Sequence, residues 1–308
     1  MKLKFMREET PADFSAPGAP PASADQRSRW QASNRTWWER HPMRYDFIDP
    51  VAEPEFSPQF FREIDRRFLK SISQEAPWRT IPFDTFIDFD RLRQQSVLEI
   101  GVGCGTHAEL LTRRAGRYVG IDLTEYAVRA TSTRLGAASL PVRIARVDAE
   151  RLAFPDATFD FVWSWGVIHH SSHTREVLRE IARVLRPGGR CTVMVYHRSP
   201  WNEFVRGGLY YGLLRGGFFR GKSIHTLLQE TTDGALARYY TADDWNRDVS
   251  DYFTVSRTWL LGHSSQLIPL PWGPLKERLS DMLAGRFTRW LTNRPSFAYM
   301  IVTELQKI

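Results

Sequence analysis

The pattern of apolar and polar positions changes character twice along the chain. In "SPQFFREIDRRFLKSI", residues 57–72, Phe60, Phe61, Ile64, Phe68, Leu69 and Ile72 recur at helical spacing, with Ser57 as cap and Pro58 in the first turn. Just upstream, "RWQASNRTWWERHPMRYDF" gathers Trp30, Trp37, Trp38, Tyr45 and Phe47, the density expected of a segment docked on an apolar surface. From residue 96 short apolar runs alternate with amphipathic ones. The reading is strand "SVLEIGV", helix "THAELLTRR", strand "RYVGI", helix "TEYAVRATSTRL" and strand "PVRIARV". Strand "FDFVWSW", helix "TREVLREIARVL", turn "PGG" and strand "RCTVMVY" follow. Such alternation predicts a parallel sheet with helices on both faces over about 96–197. Later the alternation loosens. "RGGLYYGLLRGGFFRGK" is rich in glycine and aromatics, "TADDWNRDVSDYF" reads as a helix capped by Thr241, and "TVSRTWLL" and "FAYMIVTEL" read as strands on either side of the helical "PLKERLSDMLAGRFTRWL".

Composition adds bounds. The chain has 308 residues, 42% hydrophobic and 25% charged, which is ordinary for a soluble globular protein. No apolar run approaches the roughly 20 residues a membrane-spanning helix needs, so stable membrane insertion is not expected. The opening "MKLKFMREETPADF" lacks the apolar stretch of a secretory signal, and two cysteines make no disulfide framework, so a cytoplasmic location is expected. The net charge of +7 favours anionic partners such as nucleic acid, acidic lipid or phosphorylated metabolites. The arginines are spread along the chain without a dense basic run, however, which reads first as a solvated basic surface.

The first strand ends in "EIGVGCGTH", where Gly101, Gly103 and Gly105 allow a tight turn and close backbone approach to a ligand. A dinucleotide fingerprint wants a third glycine at 106, and Thr106 stands there. Glu99, two residues before the loop, would repel a pyrophosphate and favour a ligand bearing an ammonium and a sulfonium, which is S-adenosylmethionine. Asp122 ends the second strand about 20 residues after the first glycine, where a carboxylate accepts ribose hydroxyls, and Leu123 follows it. Asp148 ends the third strand, suited to the adenine amino group, with the backbone of Ala149 beside it. Any one of these is weak alone, since a strand-final Asp is often a helix cap. Together they stand at the tips of three consecutive strands.

"VLEIGVGCGTHAELL", "GIDLT", "DAERLAFPDATFDFVWS" and "REIARVLRPGGRCTVMVYH" resemble the successive motifs of class I S-adenosylmethionine-dependent methyltransferases, in the ubiquinone/menaquinone-biosynthesis-like branch that acts mostly on small molecules. The resemblance implies an α/β, Rossmann-like, mostly parallel seven-stranded sheet with helices on both faces, an antiparallel C-terminal hairpin and an N-terminal helical cap. It implies cofactor contacts at Glu99, Gly101, Gly103, Gly105, Asp122, Asp148 and Ala149, with S-adenosylmethionine as cofactor. The domain reading is a disordered arm over 1–28, a helical cap or lid over 29–95, the cofactor-binding core over 96–197, an insert over 198–240 forming an acceptor-site lid, and completion of the sheet over 241–308.

"WSWGVIHHSSH" holds three of the eight histidines at the end of the fourth strand, in the crevice where open sheets bind ligands. Three readings compete. His170 and His173 have the spacing of a metal pair on a helix, but no carboxylate or cysteine accompanies them, and no metal is expected. His169 or His170 could orient the acceptor or take its proton, which suits a histidine near neutral pH. Or one caps the strand while His173 caps the next helix. Of Trp163 and Trp165, one is expected in the core and the other, Trp165, beside the adenine. His107 reads as a cap or surface group.

The acceptor side must be built from the flanking segments. Candidate substrate contacts are Tyr45, Tyr196, His197, Tyr210 and Tyr211, with Trp201, Phe204, Phe218 and Phe219 in the same aromatic insert and Arg206, Arg215, Arg220 and Lys222 able to seat a phosphate or carboxylate. Ordinary packing of an accessory helix is the competing reading of that insert. The expected activity is methyl transfer to a small, partly apolar or aromatic metabolite by in-line displacement. The alternatives are an RNA methyltransferase, against which no amino-methylating signature or RNA-binding module is found, and a non-catalytic S-adenosylmethionine-binding regulatory protein. No nucleic-acid partner is expected, and the oligomeric state is open.

Overall fold

The computed structural model describes residues 10–14, 19–46, 49–230, 232–268, 270 and 273–308. Its frame is one sheet. Strands β1 (Ser96–Ile100), β2 (Arg117–Asp122), β3 (Ile144–Arg146), β4 (Phe159–Trp165) and β5 (Leu185–His197) run parallel; a two-residue β6 (Tyr239–Tyr240) lies beside the end of β5; β7 (Phe253–Leu261) and β8 (Met300–Lys307) are antiparallel. The order is β3-β2-β1-β4-β5-β8-β7. The chain adds strands outward from β1 to β3 and then returns to the other side at β4. A crevice therefore opens at the carboxyl ends of β1 and β4.

The helices are α1 (Ala24–Arg40), α2 (Pro58–Glu75), α3 (Phe89–Leu92), α4 (Thr106–Thr112), α5 (Glu125–Ala137), α6 (Thr174–Val184), α7 (Ile224–Glu230), α8 (Ala242–Ser250), α9 (Pro274–Leu283) and α10 (Arg286–Thr292). Side chains of a strand alternate between faces. Leu98, Ile100 and Val162 point to one face, where Val177, Leu178 and Ile181 of α6 cover them. Burying each of those three contributes about 1.5–3 kcal/mol relative to exposure. Val97, Tyr118, Phe161 and Trp163 point to the other face, against Phe68 and Ile72 of α2 and Ala108 and Leu111 of α4. Among the described residues no helix is long and apolar enough to cross a membrane.

The caps follow the sequence. The Ser57 hydroxyl accepts from the Phe60 amide at 3.1 Å, and Thr241 forms a reciprocal capping box with Asp244. Four expectations differ. Of the arm expected over 1–28, residues 1–9 and 15–18 lie outside the described residues, as does Phe47, but α1 already begins at Ala24. Ser23 caps it at Gln26, and Phe14 packs edge-on against Trp30, ring centroids 5.0 Å apart, so a Pro/Ala-rich composition hides one anchoring aromatic. The helical stretch after β7 is two helices, because the chain is extended at Ala284 and Gly285. The glycine-rich insert opens as a wide π-helical segment, Trp201–Leu214, rather than an ordinary helix. Finally, Trp163 and Trp165 share one face, stacked with centroids 5.4 Å apart, because residues two apart on a strand point the same way.

Candidate functional site

The glycine loop leaves β1 at Gly101, whose φ of +83° is a left-handed value. Its amide donates to the Ile121 carbonyl at 2.8 Å. A Cβ on Gly101 would fall 2.2 Å from Val167 Cγ2, so the turn after β4 presses directly on the loop. The loop is held from below. The Gly103 amide donates to Asp122 Oδ2 at 3.2 Å, and Thr131 Oγ1 donates to the Gly103 carbonyl at 3.0 Å. Arg134 donates to the Cys104 carbonyl at 3.4 Å, forks onto both Asp65 oxygens at 2.9 and 2.6 Å, and reaches Glu109 at 2.8 Å. Helices α2, α4 and α5 are thus fastened to one guanidinium under the loop. Such bidentate pairs fix orientation as well as adding energy.

Glu99 is buried beside this loop. Tyr118 donates to its Oε2 at 2.5 Å, while Oε1 has no hydrogen-bond partner among the described residues and lies 3.7 Å from His107 Nδ1. Burial pushes Glu99 up to about 8, against the pull of the Tyr118 hydroxyl, with the neighbouring Asp122 charge adding to the rise. His107 is neither cap nor surface group. It packs edge-on against Phe83 at 4.6 Å and Trp163 at 5.4 Å, and burial drives it down to about 3, so it stays neutral.

At the next tip, Asp122 Oδ1 accepts from the Thr124 amide at 3.0 Å and hydroxyl at 2.8 Å. At the third, Asp148 Oδ1 accepts from the Glu150 amide at 2.9 Å and from Gln31 of α1 at 2.8 Å. A cleft of about 290 Å³ runs between Ser28, Gln31, Ala32 and Arg35 of α1 and Leu123, Val147 and Asp148 of the core. Ala149 is half-buried against the core beside it. Trp165 is not part of this cleft's lining. It packs on Phe83 at 5.2 Å and Phe86 at 5.5 Å, because its face of β4 is the one that meets the N-terminal segment.

After β4 the chain makes a short turn, Ile168–His170, in which both histidines are buried. His170 Nδ1 lies 2.6 Å from the Leu236 carbonyl, which can only accept, so Nδ1 carries the proton and Nε2 the lone pair. His169 packs on Tyr196, centroids 3.9 Å apart, and leaves both ring nitrogens without a hydrogen-bond partner among the described residues. Burial holds both well below the usual histidine range, His170 at about 4. His173 caps α6, its Nδ1 accepting from the Glu176 amide at 3.1 Å. Glu150 fixes the turn by accepting from Ser171, Ser172 and the His173 amide at 2.6, 2.6 and 3.0 Å, and binds Arg27 of α1 at 2.6 Å.

Around the histidines lies an aromatic bed. Trp38 meets His170 edge-on at 4.9 Å, and Tyr239 stacks on Tyr196 at 5.4 Å. Tyr45 stacks on Phe68 at 4.9 Å. Its hydroxyl is raised far above the usual tyrosine range by burial and then by Cys104, Glu75 and Asp233. Tyr299 feels Glu75, Tyr196 and Tyr45 in the same way. Three of the expected contacts have other partners in the structure. His197 is spent on the sheet, its Nδ1 3.1 Å from the Ala298 carbonyl, and Tyr210 and Tyr211 pack on each other at 4.9 Å. The sequence reading missed Glu75, Gln31, Trp38, Tyr239 and Tyr299. Glu75 had a legible signal, since it continues the buried stripe of α2 at the spacing of Phe68 and Ile72.

Glu75 is 2% exposed and accepts from Tyr299 at 2.7 Å. Burial lifts it from 4.5 to about 8, with the Tyr299 hydroxyl opposing. A carboxyl whose folded value exceeds its unfolded one costs stability as pH climbs from the unfolded value to the folded one. At about 1.4 kcal/mol per unit, the loss between pH 4.5 and about 8 amounts to several kcal/mol. The unfolding temperature of the ligand-free protein is therefore expected to fall from pH 6 to pH 9, and Glu75→Gln to flatten part of that decline. An equally steep decline in the variant would remove Glu75 from this role.

Residues 98–193 match the methyltransferase domain family. The 27-O-demethylrifamycin SV methyltransferase of Amycolatopsis mediterranei (strain S699) is 38% identical over 97 residues, 30% of this chain and 36% of that enzyme. The demethylmenaquinone methyltransferase of Thermobifida fusca (strain YX) is 28% identical over 188 residues, 58% of this chain and 78% of that protein. The chain thus spans only about a third of the length of the first of these relatives. Among solved structures, geranyl diphosphate C-methyltransferase from Streptomyces coelicolor A3(2), in complex with Mg2+, geranyl diphosphate and S-adenosyl-L-homocysteine, superposes with a TM-score of 0.56 at 12% identity, over 94% of this chain and 100% of that one. That likeness is one of fold. Residues 98–193, about a third of the chain, are thus similar to the methyltransferase domain family, and the curated relatives matched there are methyltransferases.

Proposed function

We propose that this chain transfers a methyl group to a small, partly apolar or aromatic acceptor seated on the tyrosine and histidine bed at the ends of β4 and β5. The observation that carries this reading is the adjacency of two unlike surfaces. Strand tips bearing Glu99, Asp122 and Asp148 meet an aromatic bed bearing Tyr45, Tyr196, Tyr239, Tyr299 and two neutral histidines.

The residues present fit the cofactor. The partnerless, buried Glu99 Oε1 suits an ammonium, and a Cβ on Gly103 would meet nothing within 4 Å, leaving room against the loop. Asp122 with Leu123 would hold the ribose and Asp148 with Ala149 the adenine, along the cleft under α1. When bound, the cofactor supplies a methyl on a sulfonium, which leaves as a neutral thioether. The chain's own part is alignment and proton handling. Aromatic walls exclude water and orient the acceptor, which is most of what an in-line displacement needs. Where the attacking atom bears a proton, His170 Nε2 is free to take it, and the Leu236 carbonyl holds the ring in that tautomer. In this reading residues 29–95 cap the site and 96–197 hold the cofactor.

The test is calorimetry with S-adenosylhomocysteine followed by labelled-methyl transfer to a panel of phenolic, quinone-like and polyketide-like acceptors. Binding of the thioether product and labelling of one such acceptor are expected. Tight NADH binding with no response to S-adenosylhomocysteine, or labelling confined to RNA, would overturn the proposal. His170→Ala is expected to leave S-adenosylhomocysteine affinity within about twofold while lowering turnover by the 10²–10⁴-fold typical of a lost base. A large affinity loss would mean that the turn serves the cofactor instead.

A further inference from the structure

We propose that the face formed by the 201–220 segment together with α9 and α10 docks on an anionic lipid bilayer, with the arginines around Trp290 seating phosphate headgroups. Among the described residues these elements carry many of the exposed large apolar side chains. Phe219 is 86% exposed, Met282 81%, Phe287 74% and Leu214 72%. Soluble monomers seldom leave so many large apolar side chains together unless something covers them.

The start of the 201–220 segment sits beside the residues that follow α10. The Trp201 amide donates to the Ser296 carbonyl at 3.0 Å, just beyond α10, and its ring lies 5.4 Å from Phe297. Its indole N–H donates to Gln266 at 2.8 Å, and the Arg206 charge reaches Lys276 of α9.

Charge decides what covers the face. A shallow, open depression is lined by Arg286, Arg289, Trp290, Asn293 and Arg294. Arg294 lies 4.3 Å over the Trp290 ring, which stacks on Phe287 at 5.8 Å. Arg286, Arg289 and Arg294 form no ion pair among the described residues, whereas arginines such as Arg175, Arg183 and Arg186 are matched to acids. Asp281 on α9 is already engaged by Lys70 at 3.0 Å, and Glu230 by Lys222 at 2.5 Å. Aromatic and aliphatic side chains beside unmatched arginines suit the boundary between acyl chains and anionic headgroups. A protein partner would need a matching acidic apolar patch, whereas a bilayer offers both chemistries at once. The attachment is peripheral, in keeping with the lack of a membrane-crossing helix among the described residues.

The experiment is co-sedimentation of the full chain with vesicles of phosphatidylcholine alone and of an equal mixture with phosphatidylglycerol. Pelleting is expected with the mixed vesicles, weakened about tenfold or more by high salt and by either Phe219→Ser/Phe287→Ser or Arg286→Glu/Arg289→Glu. S-Adenosylhomocysteine affinity, or thermal unfolding if the chain binds none, should match the parent in both variants and so report an intact fold. Failure to pellet with mixed vesicles, or equal pelleting with neutral ones, overturns the proposal. A concentration-dependent dimer that Phe287→Ser abolishes, without vesicle binding, would instead assign the face to a second copy. The assay needs no turnover, so it stands or falls apart from the methyl-transfer reading.

Discussion

Glu99→Gln is expected to weaken S-adenosylhomocysteine binding by about 10–100-fold, the 1.5–3 kcal/mol of a hydrogen bond to a charged group. Glutamine keeps the size of the side chain and an oxygen for the Tyr118 hydroxyl, so the loss is one of charge. The pH dependence separates this from a packing fault. In the ligand-free protein burial keeps Glu99 protonated up to about pH 8. The ligand's ammonium calls for the carboxylate, so binding must expel a proton. Affinity should therefore rise from pH 6 to pH 8, approaching tenfold per unit, and level off above. Calorimetry in buffers of differing ionisation heat would count that proton. A glutamine variant that binds as tightly as the parent, or keeps its pH slope, would take Glu99 out of the cofactor site.

The second large effect is at Gly101. Alanine there must adopt φ +83°, at a cost of about 1–2 kcal/mol for a left-handed residue. Its Cβ must also displace Val167, whose Cγ2 and Cβ would lie 2.2 and 3.0 Å away. Overpacking of this kind adds roughly 1–3 kcal/mol. Gly101→Ala is therefore expected to lower unfolding free energy by about 2–5 kcal/mol in urea titration and to abolish measurable S-adenosylhomocysteine binding. Adding Val167→Ala should return the packing share and leave the backbone share. Unchanged stability and affinity in Gly101→Ala would refute the pressed-loop geometry.

Much of this was written in local pattern. The alternation of β1 to β5 with their helices, the caps Ser57 and Thr241, and the strand-tip acids are all short-range signals, carried by period, turn chemistry and spacing. What escaped was long-range. Arg134 and Asp65 are unremarkable helical charges until α2 and α5 meet beneath the loop. Gln31 gains meaning only because α1 crosses the tip of β3. His107 looked like a surface group because nothing local announces Phe83 and Trp163 as its walls. The two-residue period of β4 sets Trp165 on the face of Trp163, against Phe83 and Phe86. The insert's π-helical path leaves several large side chains outward, and the tyrosine that meets the histidines is Tyr196, with Tyr239 stacked behind it.

Helix α1 lies across the cleft proposed for the adenosine, with Gln31 bonded to Asp148, Arg27 to Glu150, and Glu39 accepting from the first amides of α5. In the proposed reading, a nucleoside thioether leaving that cleft would pass these contacts, so loosening them by Gln31→Ala is expected to speed its release.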